Sequence, residues 1–229
     1  EFERFAQQGY NRIPVFKEVL ADLDTPVSTY LKLANERYSY LFESVQGGEQ
    51  WGRYSIIGLP ARQVIRVRGH VVTLETSGVS GAPTEVQDPL EWIRNFAGEY
   101  RVPVIEGLPR FCGGLVGYFG YETIHLIEPR LQNEKPDPLD VPDILLMVSE
   151  EVVVFDNLRG RMMIITHADP GEQEALPKAE ARLSELIARL HEAPLPRHSG
   201  PRGREVKETD FVSGFTQSGF EKAVSYTHL

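Results

Sequence analysis

Residues 144–166 read ILLMVSEEVVVFDNLRGRMMIIT, and this stretch decides the fold class. Two apolar runs, at 144–155 and 162–166, flank the short polar connection at 156–160. Apolar and β-branched runs on either side of a connection of this length are typical of a β-hairpin. The sequence therefore predicts that the central strands are antiparallel.

A second hairpin is predicted earlier in the chain. Apolar residues at 64–67 and 71–74 flank the turn signal Arg68-Gly69, which is the pattern of two strands joined by a tight turn. Residues 76–84 follow, and they are rich in glycine, serine and proline. That composition predicts an exposed loop.

Three helices are expected beside these strands. Each of the dipeptides Thr25-Pro26 and Asp88-Pro89 combines an N-cap residue with proline at the first helical position, and apolar residues follow at helical spacing. A third helix is predicted within residues 169–191, where Pro177 should kink it or delay its regular part. The predicted fold class is α+β, mainly antiparallel β-sheets with helices packed outside.

Composition narrows the classes of function. The chain has 229 residues, 41% of them hydrophobic, which is enough for a substantial core. Its formal charge of −9 disfavours non-specific binding to nucleic acid or an anionic membrane, and favours a small-molecule or protein partner. Cys112 is the only cysteine, which excludes an intrachain disulfide and a multi-thiolate zinc site. This usage suits a reducing compartment, so a cytoplasmic location is expected.

The composition changes near the C-terminal end of the chain. Residues 192–207 mix prolines and glycines with charged residues and lack apolar periodicity, which predicts a linker. The linker would separate a domain at residues 1–191 from a further element at residues 208–229. Six scattered histidines show no zinc-binding spacing, so they predict no metal site.

Residues 38–58 read YSYLFESVQGGEQWGRYSIIG and place the polar pair Glu43-Ser44 inside an apolar run. Burying a carboxylate or a hydroxyl is costly unless something bonds to it, so the pair predicts either a ligand contact or an edge strand facing water. Strict strand alternation puts Phe42 and Ser44 on one face and Leu41 and Glu43 on the other. Both polar side chains therefore cannot enter one pocket without a bulge.

Residues 111–122 read FCGGLVGYFGYE and contain four glycines. Their spacing is not GxGxxG and no GKS or GKT ending follows, so a nucleotide-binding loop is disfavoured. We expect a glycine-rich strand that another backbone or ring approaches closely, with Tyr118 and Tyr121 packed over the bare glycine surface. No nucleophile elbow or acid-base pair stands out, so the residues alone predict no catalytic group.

Three of these segments resemble one family. Residues 38–58, with their LFES tetrad and GRYSIIG, closely resemble anthranilate synthase component I, and DTPVSTYLKLA at 24–34 and FCGGLVGYFGYE are similar to the same family. Residues 206–224 resemble the start of the family's chorismate-binding domain. Residues 225–229, SYTHL, do not match the helix expected there, which indicates either a truncated reading frame or a foreign tail.

The resemblance implies an enzyme that converts chorismate and ammonia to anthranilate and pyruvate in tryptophan biosynthesis. It also implies Mg2+ as cofactor, a glutamine amidotransferase subunit as partner, and feedback inhibition by L-tryptophan. The family's catalytic and Mg2+-binding residues belong to the part that follows, so this chain alone is expected to be inactive.

The family's LLES inhibitor motif corresponds here to Leu41, Phe42, Glu43 and Ser44. The resemblance therefore places Ser44, Glu43 and Leu41 at the tryptophan site. Ser44 is expected to be the side-chain contact, and Glu43 is expected to act through its backbone or to support the pocket.

Three other functions stay open from the sequence. Aminodeoxychorismate synthase component I shares the fold and the chorismate chemistry, although the ESVQGGE and GRYSIIG segments favour anthranilate synthase. A stand-alone module for amino-acid binding or subunit docking is the alternative outside the enzymes. A β-rich domain without a ligand, in which Glu43 and Ser44 merely face water, is the plainest alternative.

Overall fold

The computed structural model describes residues 1–43, 53–131, 139–194 and 216–227. Its α-helices are α1 (Phe2–Gln7), α2 (Pro26–Leu33), α3 (Pro89–Gly98), α4 (Ile124–Ile127), α5 (Ala175–Glu192) and α6 (Gln217–Thr227). Its strands are β1 (Ile13–Leu20), β2 (Tyr40–Phe42), β3 (Tyr54–Gly58), β4 (Gln63–Arg68), β5 (Val71–Thr76), β6 (Val79–Ser80), β7 (Thr84–Glu85), β8 (Gly114–Phe119), β9 (Ile144–Ser149), β10 (Glu151–Asp156) and β11 (Arg161–Ala168). The chain divides into two compact units, residues 1–195 and 196–229.

The strands form two antiparallel sheets. The first sheet has the order β1-β11-β10-β3-β2, and the second has the order β6-β5-β4-β9-β8 with β7 paired to β5. Every strand pair is antiparallel. The predicted α+β class with antiparallel sheets is confirmed.

Both predicted hairpins are present. β10 pairs with β11 around the turn at 157–160, and β4 pairs with β5 around Gly69, whose φ of 53° suits a residue without a side chain. Residues 76–84 are exposed as predicted, but the prediction of a plain loop is wrong because the segment contains β6 and the start of β7. The turn residues Ser77 and Gly78 adopt positive φ and fold this segment back onto β5.

The apolar run at 144–155 is not one strand, which corrects the sequence interpretation. β9 belongs to the second sheet and β10 to the first, and Glu150 is the one residue between them. Glu151, the first residue of β10, has a polar partner on α5. Its carboxylate accepts two hydrogen bonds from Arg182, each at 2.8 Å. The chain therefore changes sheets where its apolar pattern is interrupted.

The helices begin where their caps predict. The hydroxyl of Thr25 accepts from the amide of Ser28 at 3.1 Å, and the hydroxyl of Ser28 accepts from the amide of Thr25 at 2.9 Å. The carboxylate of Asp88 accepts from the first amides of α3 at 2.8 and 3.1 Å. α5 starts at Ala175 with Pro177 in its first turn, so the predicted delay is confirmed.

Three apolar clusters fix the position of β2. α2 and α5 cover the first sheet over a core that includes Ile57, Leu183 and Leu186, each fully buried. α3 covers the second sheet over a core centred on Ile65 and Ile93. A third cluster draws members from both sheets, namely Tyr40, Val64, Val116 and Met147. As a result β2 lies at the edge of the first sheet with one face toward the helices and the other toward the second sheet.

The glycine-rich segment forms β8, at one edge of the second sheet. A Cβ on Gly117 would lie 1.8 Å from the carbonyl oxygen of Leu145, so the predicted close approach of another backbone is confirmed. The expectation for the tyrosines is wrong. Tyr118 donates its hydroxyl proton to the carbonyl of Pro142 at 3.0 Å, and Tyr121 is 89% exposed. The neighbouring backbone already occupies the glycine surface, which leaves no room for the rings.

The C-terminal unit contributes α6 to the described residues. The helix includes positions 225–227, so the structure shows no interruption after Val224. The first residue of the predicted linker at 192–207, Glu192, is the last residue of α5. Beyond it, only residues 193 and 194 of the linker are among the described residues. Across the ranges that the structure describes, no helix has the length and apolar character needed to cross a membrane.

Candidate functional site

The predicted ligand-binding residues lie at the end of β2. This strand pairs with β3 through Tyr40↔Gly58 and Phe42↔Ile56, and it ends at Phe42. Glu43 follows outside the strand and is exposed. Ser44 lies outside the described residues, so its expected contact stays a prediction.

The two faces of β2 have different surroundings. Leu41 packs against the buried core beneath α2 and α5, together with its strand partner Ile57. Phe42 points to the opposite face and is 53% exposed. The predicted alternation of Leu41 and Phe42 is confirmed, and the structure does not bring these two side chains into one pocket.

Tyr40 anchors the face on which Phe42 lies. Its ring covers Gly58 so closely that a Cβ on that glycine would lie 1.9 Å from the ring, which explains the last glycine of GRYSIIG. Its hydroxyl shares a hydrogen bond with the hydroxyl of Ser149 at 2.7 Å, and this bond joins the two sheets. Burial raises the pKa of the Tyr40 phenol. The rings of Tyr40 and Phe42 lie 4.9 Å apart, so Phe42 rests on a fixed aromatic base.

The chain enters β2 through a constrained residue. Tyr38 has a φ of 60°, an uncommon conformation for a bulky side chain. Its carbonyl accepts from the amide of Ala61 at 3.0 Å, and its hydroxyl accepts from the guanidinium of Arg66. Arg66 is itself paired with Glu75 at 2.6 Å. These contacts hold the approach to β2 against the second sheet.

An ion pair holds Arg53, the residue that precedes β3. Arg53 donates to both oxygens of the Asp156 carboxylate, at 3.0 and 2.6 Å, and Asp156 is only 3% exposed. The Arg53 guanidinium lowers the pKa of Asp156. The carbonyl of Arg53 also accepts from the amide of Asn157 at 2.8 Å. These contacts fix the residue at which β3 begins.

This arrangement suits binding better than catalysis. It offers an exposed aromatic ring on a rigid base, which suits the apolar part of a small amphipathic molecule. Burial raises the pKa of the Cys112 thiol, which disfavours the reactive thiolate. The described residues contain no group of three or more histidine, cysteine, aspartate or glutamate side chains that could hold a metal ion. These described residues therefore do not supply a Mg2+ site.

Sequence reasoning missed a second polar group, where β9 meets β10. Nη1 of Arg12 donates to Asp169 at 2.5 Å, Nε of Arg12 lies 3.4 Å from the Glu150 carboxylate, and the guanidinium stacks 4.9 Å from the ring centroid of Tyr100. The signal was available, because Glu150 interrupts an apolar run just as Glu43 does. Its partners lie far away in the sequence and could not be read from it.

Comparisons with known proteins agree with this architecture. The profile of a family described as chorismate binding enzyme matches residues 44–228. The anthranilate synthase component 1 proteins of Pseudomonas putida and Pseudomonas aeruginosa are each 52% identical over 98% of this chain and 46% of their own length. That of Aquifex aeolicus is 34% identical over 96% of the chain. The chain thus spans about half the length of the curated relatives that it matches.

A solved structure supports the fold. The crystal structure of anthranilate synthase component I from Streptococcus pneumoniae TIGR4 superimposes with a TM-score of 0.52 at 23% sequence identity. The match covers 78% of this chain and 37% of that one.

Proposed function

Because the chain belongs to the family of chorismate-binding enzymes, we propose that it forms the tryptophan-sensing part of an anthranilate synthase component I. The full protein would convert chorismate and ammonia to anthranilate and pyruvate, with Mg2+ as cofactor. Ammonia would come from a glutamine amidotransferase subunit. The similarity to anthranilate synthase component 1 along nearly the whole chain supports this proposal.

The observation that carries the sensing role is the half-exposed Phe42 ring, fixed on Tyr40 at the point where the LFES tetrad ends. Tryptophan needs an apolar surface for its indole, an acceptor for its ammonium group and donors for its carboxylate. Phe42 offers the apolar surface, and Ser44 would offer the polar contact. Glu43 would contribute through its backbone or support the pocket. Leu41 packs away from this face and would act by holding β2 in place.

Inhibition would then be a shift between two states of the full protein. Tryptophan can lower chorismate turnover only as far as it binds one state better than the other. The hydrogen bond between Tyr40 and Ser149 connects β2 to the second sheet. A ligand bound at Phe42 would therefore act on a strand that is bonded to both sheets. The chemistry of the active site need not change.

The decisive experiment replaces Ser44 in the full-length protein. We expect Ser44→Phe to leave anthranilate formation largely intact and to raise the tryptophan concentration for half-inhibition by about tenfold or more, which is the effect of losing about 1.4 kcal/mol of binding. Anthranilate fluorescence measured against tryptophan concentration gives both values. Ser80→Phe, at an exposed position of β6, is the control. Unchanged inhibition in Ser44→Phe would remove this residue from the site.

A second pair of variants tests the aromatic surface. Phe42 and Phe119 are almost equally exposed, at 53% and 55%, but Phe119 lies on β8 in the other sheet. We expect Phe42→Ala to weaken tryptophan inhibition and Phe119→Ala to preserve it. Equal effects of the two substitutions would indicate general loss of structure instead of a lost contact.

Product analysis and calorimetry separate the alternatives. Anthranilate as the product of the full-length enzyme supports the proposal, whereas aminodeoxychorismate would assign it to the related synthase. Heat released on adding tryptophan to the full-length protein would exclude a β-rich domain without a ligand. The 229-residue chain by itself is expected to form no anthranilate from chorismate and ammonia. Measurable turnover by this chain would contradict that expectation.

A further inference from the structure

A cavity of about 360 Å³ lies between the C-terminal end of α3, the segment at 102–115 and the junction of β9 with β10. Its walls are mainly apolar and include Val102, Ile105 and Leu115. Among the described residues, none of β2 belongs to the lining, so the cavity is distinct from the surface at Phe42. A volume of this size with mainly apolar walls is typical of sites for small organic molecules.

The charged groups that line the cavity are two cations and one carboxylate, namely Arg12, Arg110 and Glu150. Nε of Arg12 lies 3.4 Å from the Glu150 carboxylate, and Nη1 of Arg12 donates to Asp169 at 2.5 Å. Asp169 lines a neighbouring cavity of about 250 Å³ instead of this one. The buried Nε of Arg12 has no hydrogen-bond partner. The lining therefore carries net positive charge and an unsatisfied donor, and both favour a ligand that brings an acceptor.

Arg110 is the cation that is available to a ligand. It lines the cavity at an exposed position, and the part of the chain that the structure describes gives it no ion-pair partner. Water can satisfy its charge while the cavity is empty, so the site holds no buried and unpaired guanidinium at this position. The planar fork of donors on arginine matches the two oxygens of a carboxylate.

His167 and Glu150 restrict where an anionic group can lie. Nδ1 of His167 donates to the carbonyl of Glu150 at 2.8 Å. Burial lowers the pKa of His167, so the ring is uncharged at pH 7 and its Nε2 carries a lone pair. This lone pair and the Glu150 carboxylate both repel ligand oxygens. A ligand carboxylate is therefore expected at Arg110, and the rest of the ligand should be uncharged.

We propose that this cavity binds a small apolar molecule with one carboxylate, which pairs with Arg110 while the apolar body lies against the walls. One carboxylate matches the one lining cation that lacks an ion-pair partner among the described residues. A second carboxylate would meet the repulsion from Glu150. This site does not depend on the tryptophan site proposed at Phe42, and either proposal can fail without the other.

The thiol of Cys112 reports whether the cavity is occupied. Cys112 lines the cavity and is half-buried, so a bound ligand should shield it. The experiment follows alkylation of Cys112 by iodoacetamide in the full-length protein, with peptide mass spectrometry as the readout. We expect 3-phenylpropionate, at about ten times its dissociation constant, to slow the reaction about tenfold. The rate measured against ligand concentration gives this constant.

Two ligands with a similar body test the charge. 3-Phenylpropanamide replaces the carboxylate with a neutral amide, and we expect it to bind about fivefold more weakly, which is the upper range for a partly exposed ion pair. 3-Phenylpropylamine is a cation and should bind more weakly still. Equal protection by the three ligands, or protection by none of them, would overturn the proposal.

A matched pair of arginine variants locates the contact. Arg110→Gln removes the charge, and we expect it to raise the dissociation constant of 3-phenylpropionate about fivefold and to leave that of the amide unchanged. Arg94→Gln changes an exposed position of α3 outside the lining and should alter neither constant. Each constant is a ratio of rates within one variant, so a change in thiol reactivity cancels. Unchanged binding in Arg110→Gln, or equal weakening in Arg94→Gln, would contradict the assignment.

Discussion

The helix layer on the first sheet is closed, whereas the layer on the second sheet is open. α5 has five buried positions against the first sheet, and α3 has two against the second. β10 is buried from Val152 to its end, while β8 is mostly exposed. A cavity of about 360 Å³ borders the end of α3, and a smaller one of about 250 Å³ lies beside α5. The contrast indicates that α5 contributes more to the stability of the core than α3 does.

The largest expected effect tests this division directly. Leu183 on α5 is fully buried, and Ile93 on α3 is 7% exposed. We expect Leu183→Ala to cost about 4 kcal/mol of unfolding free energy and Ile93→Ala about 2 kcal/mol, because the looser layer can relax around the lost atoms. Urea unfolding monitored by circular dichroism gives both values. Equal losses would show that the two layers are equally well packed.

A pair of glycine substitutions should act in opposite directions. Gly58→Ala would press a Cβ into the ring of Tyr40 and is expected to cost about 2 kcal/mol. Gly98→Ala meets no atom within 4 Å and should stabilise the end of α3 by about 0.5 kcal/mol. Thermal unfolding of the two variants reports the signs. A neutral Gly58→Ala would mean that the Tyr40 ring moves away at little cost.

Helix caps offer a smaller and more even comparison. Thr25→Ala removes the cap of α2 on the first sheet, and Asp88→Ala removes the cap of α3 on the second. Each substitution is expected to cost about 1 kcal/mol, because a cap is a local interaction. Urea unfolding at one pH measures both. A much larger loss from either variant would indicate that its layer depends on the helix end.

The smallest expected effect concerns pH and the ion pair that closes the first sheet at Arg53. The pKa of Asp156 is lower in the folded protein than in the unfolded chain. Its stabilising contribution is therefore complete above the ordinary aspartate pKa of about 4 and is lost as the pH falls toward the lower folded value. We expect Asp156→Asn to lack this acid-dependent loss, with solvent screening limiting its size because Arg53 is partly exposed.

The measurement is the urea midpoint at neutral pH and at successively lower pH. Asp22→Asn, which changes an exposed carboxylate, is the control. If Asp156→Asn follows the same pH dependence as the unmodified chain, the ion pair does not contribute to acid stability.

Local signals carried much of the fold prediction. The caps at Thr25 and Asp88 and the turn at Gly69 act within a few residues, so the sequence around them is sufficient to predict them. The alternation of Leu41 and Phe42 was predictable for the same reason. The close approach at Gly117 was predicted in kind, although its partner Leu145 was not.

Long-range partners account for what was missed. The hydrogen bond between Tyr40 and Ser149 joins residues 109 positions apart, and no local pattern specifies it. The change of sheet at Glu150 depends on which strands flank each half of the run, which only the tertiary structure decides. The error over Tyr118 and Tyr121 has the same origin, because the sequence does not show that a backbone already covers the glycines.

The one-residue passage between β9 and β10 has a consequence for accuracy of folding. β9 is aligned by β4 and β8, and β10 by β3 and β11, yet only Glu150 separates them. A slip of one residue turns every side chain of a strand to the wrong face. A one-residue connection cannot accommodate a shift in register. A shift of β9 in the second sheet would therefore impose a shift on β10 in the first. Correct pairing in either sheet therefore constrains the register of the adjoining strand in the other sheet.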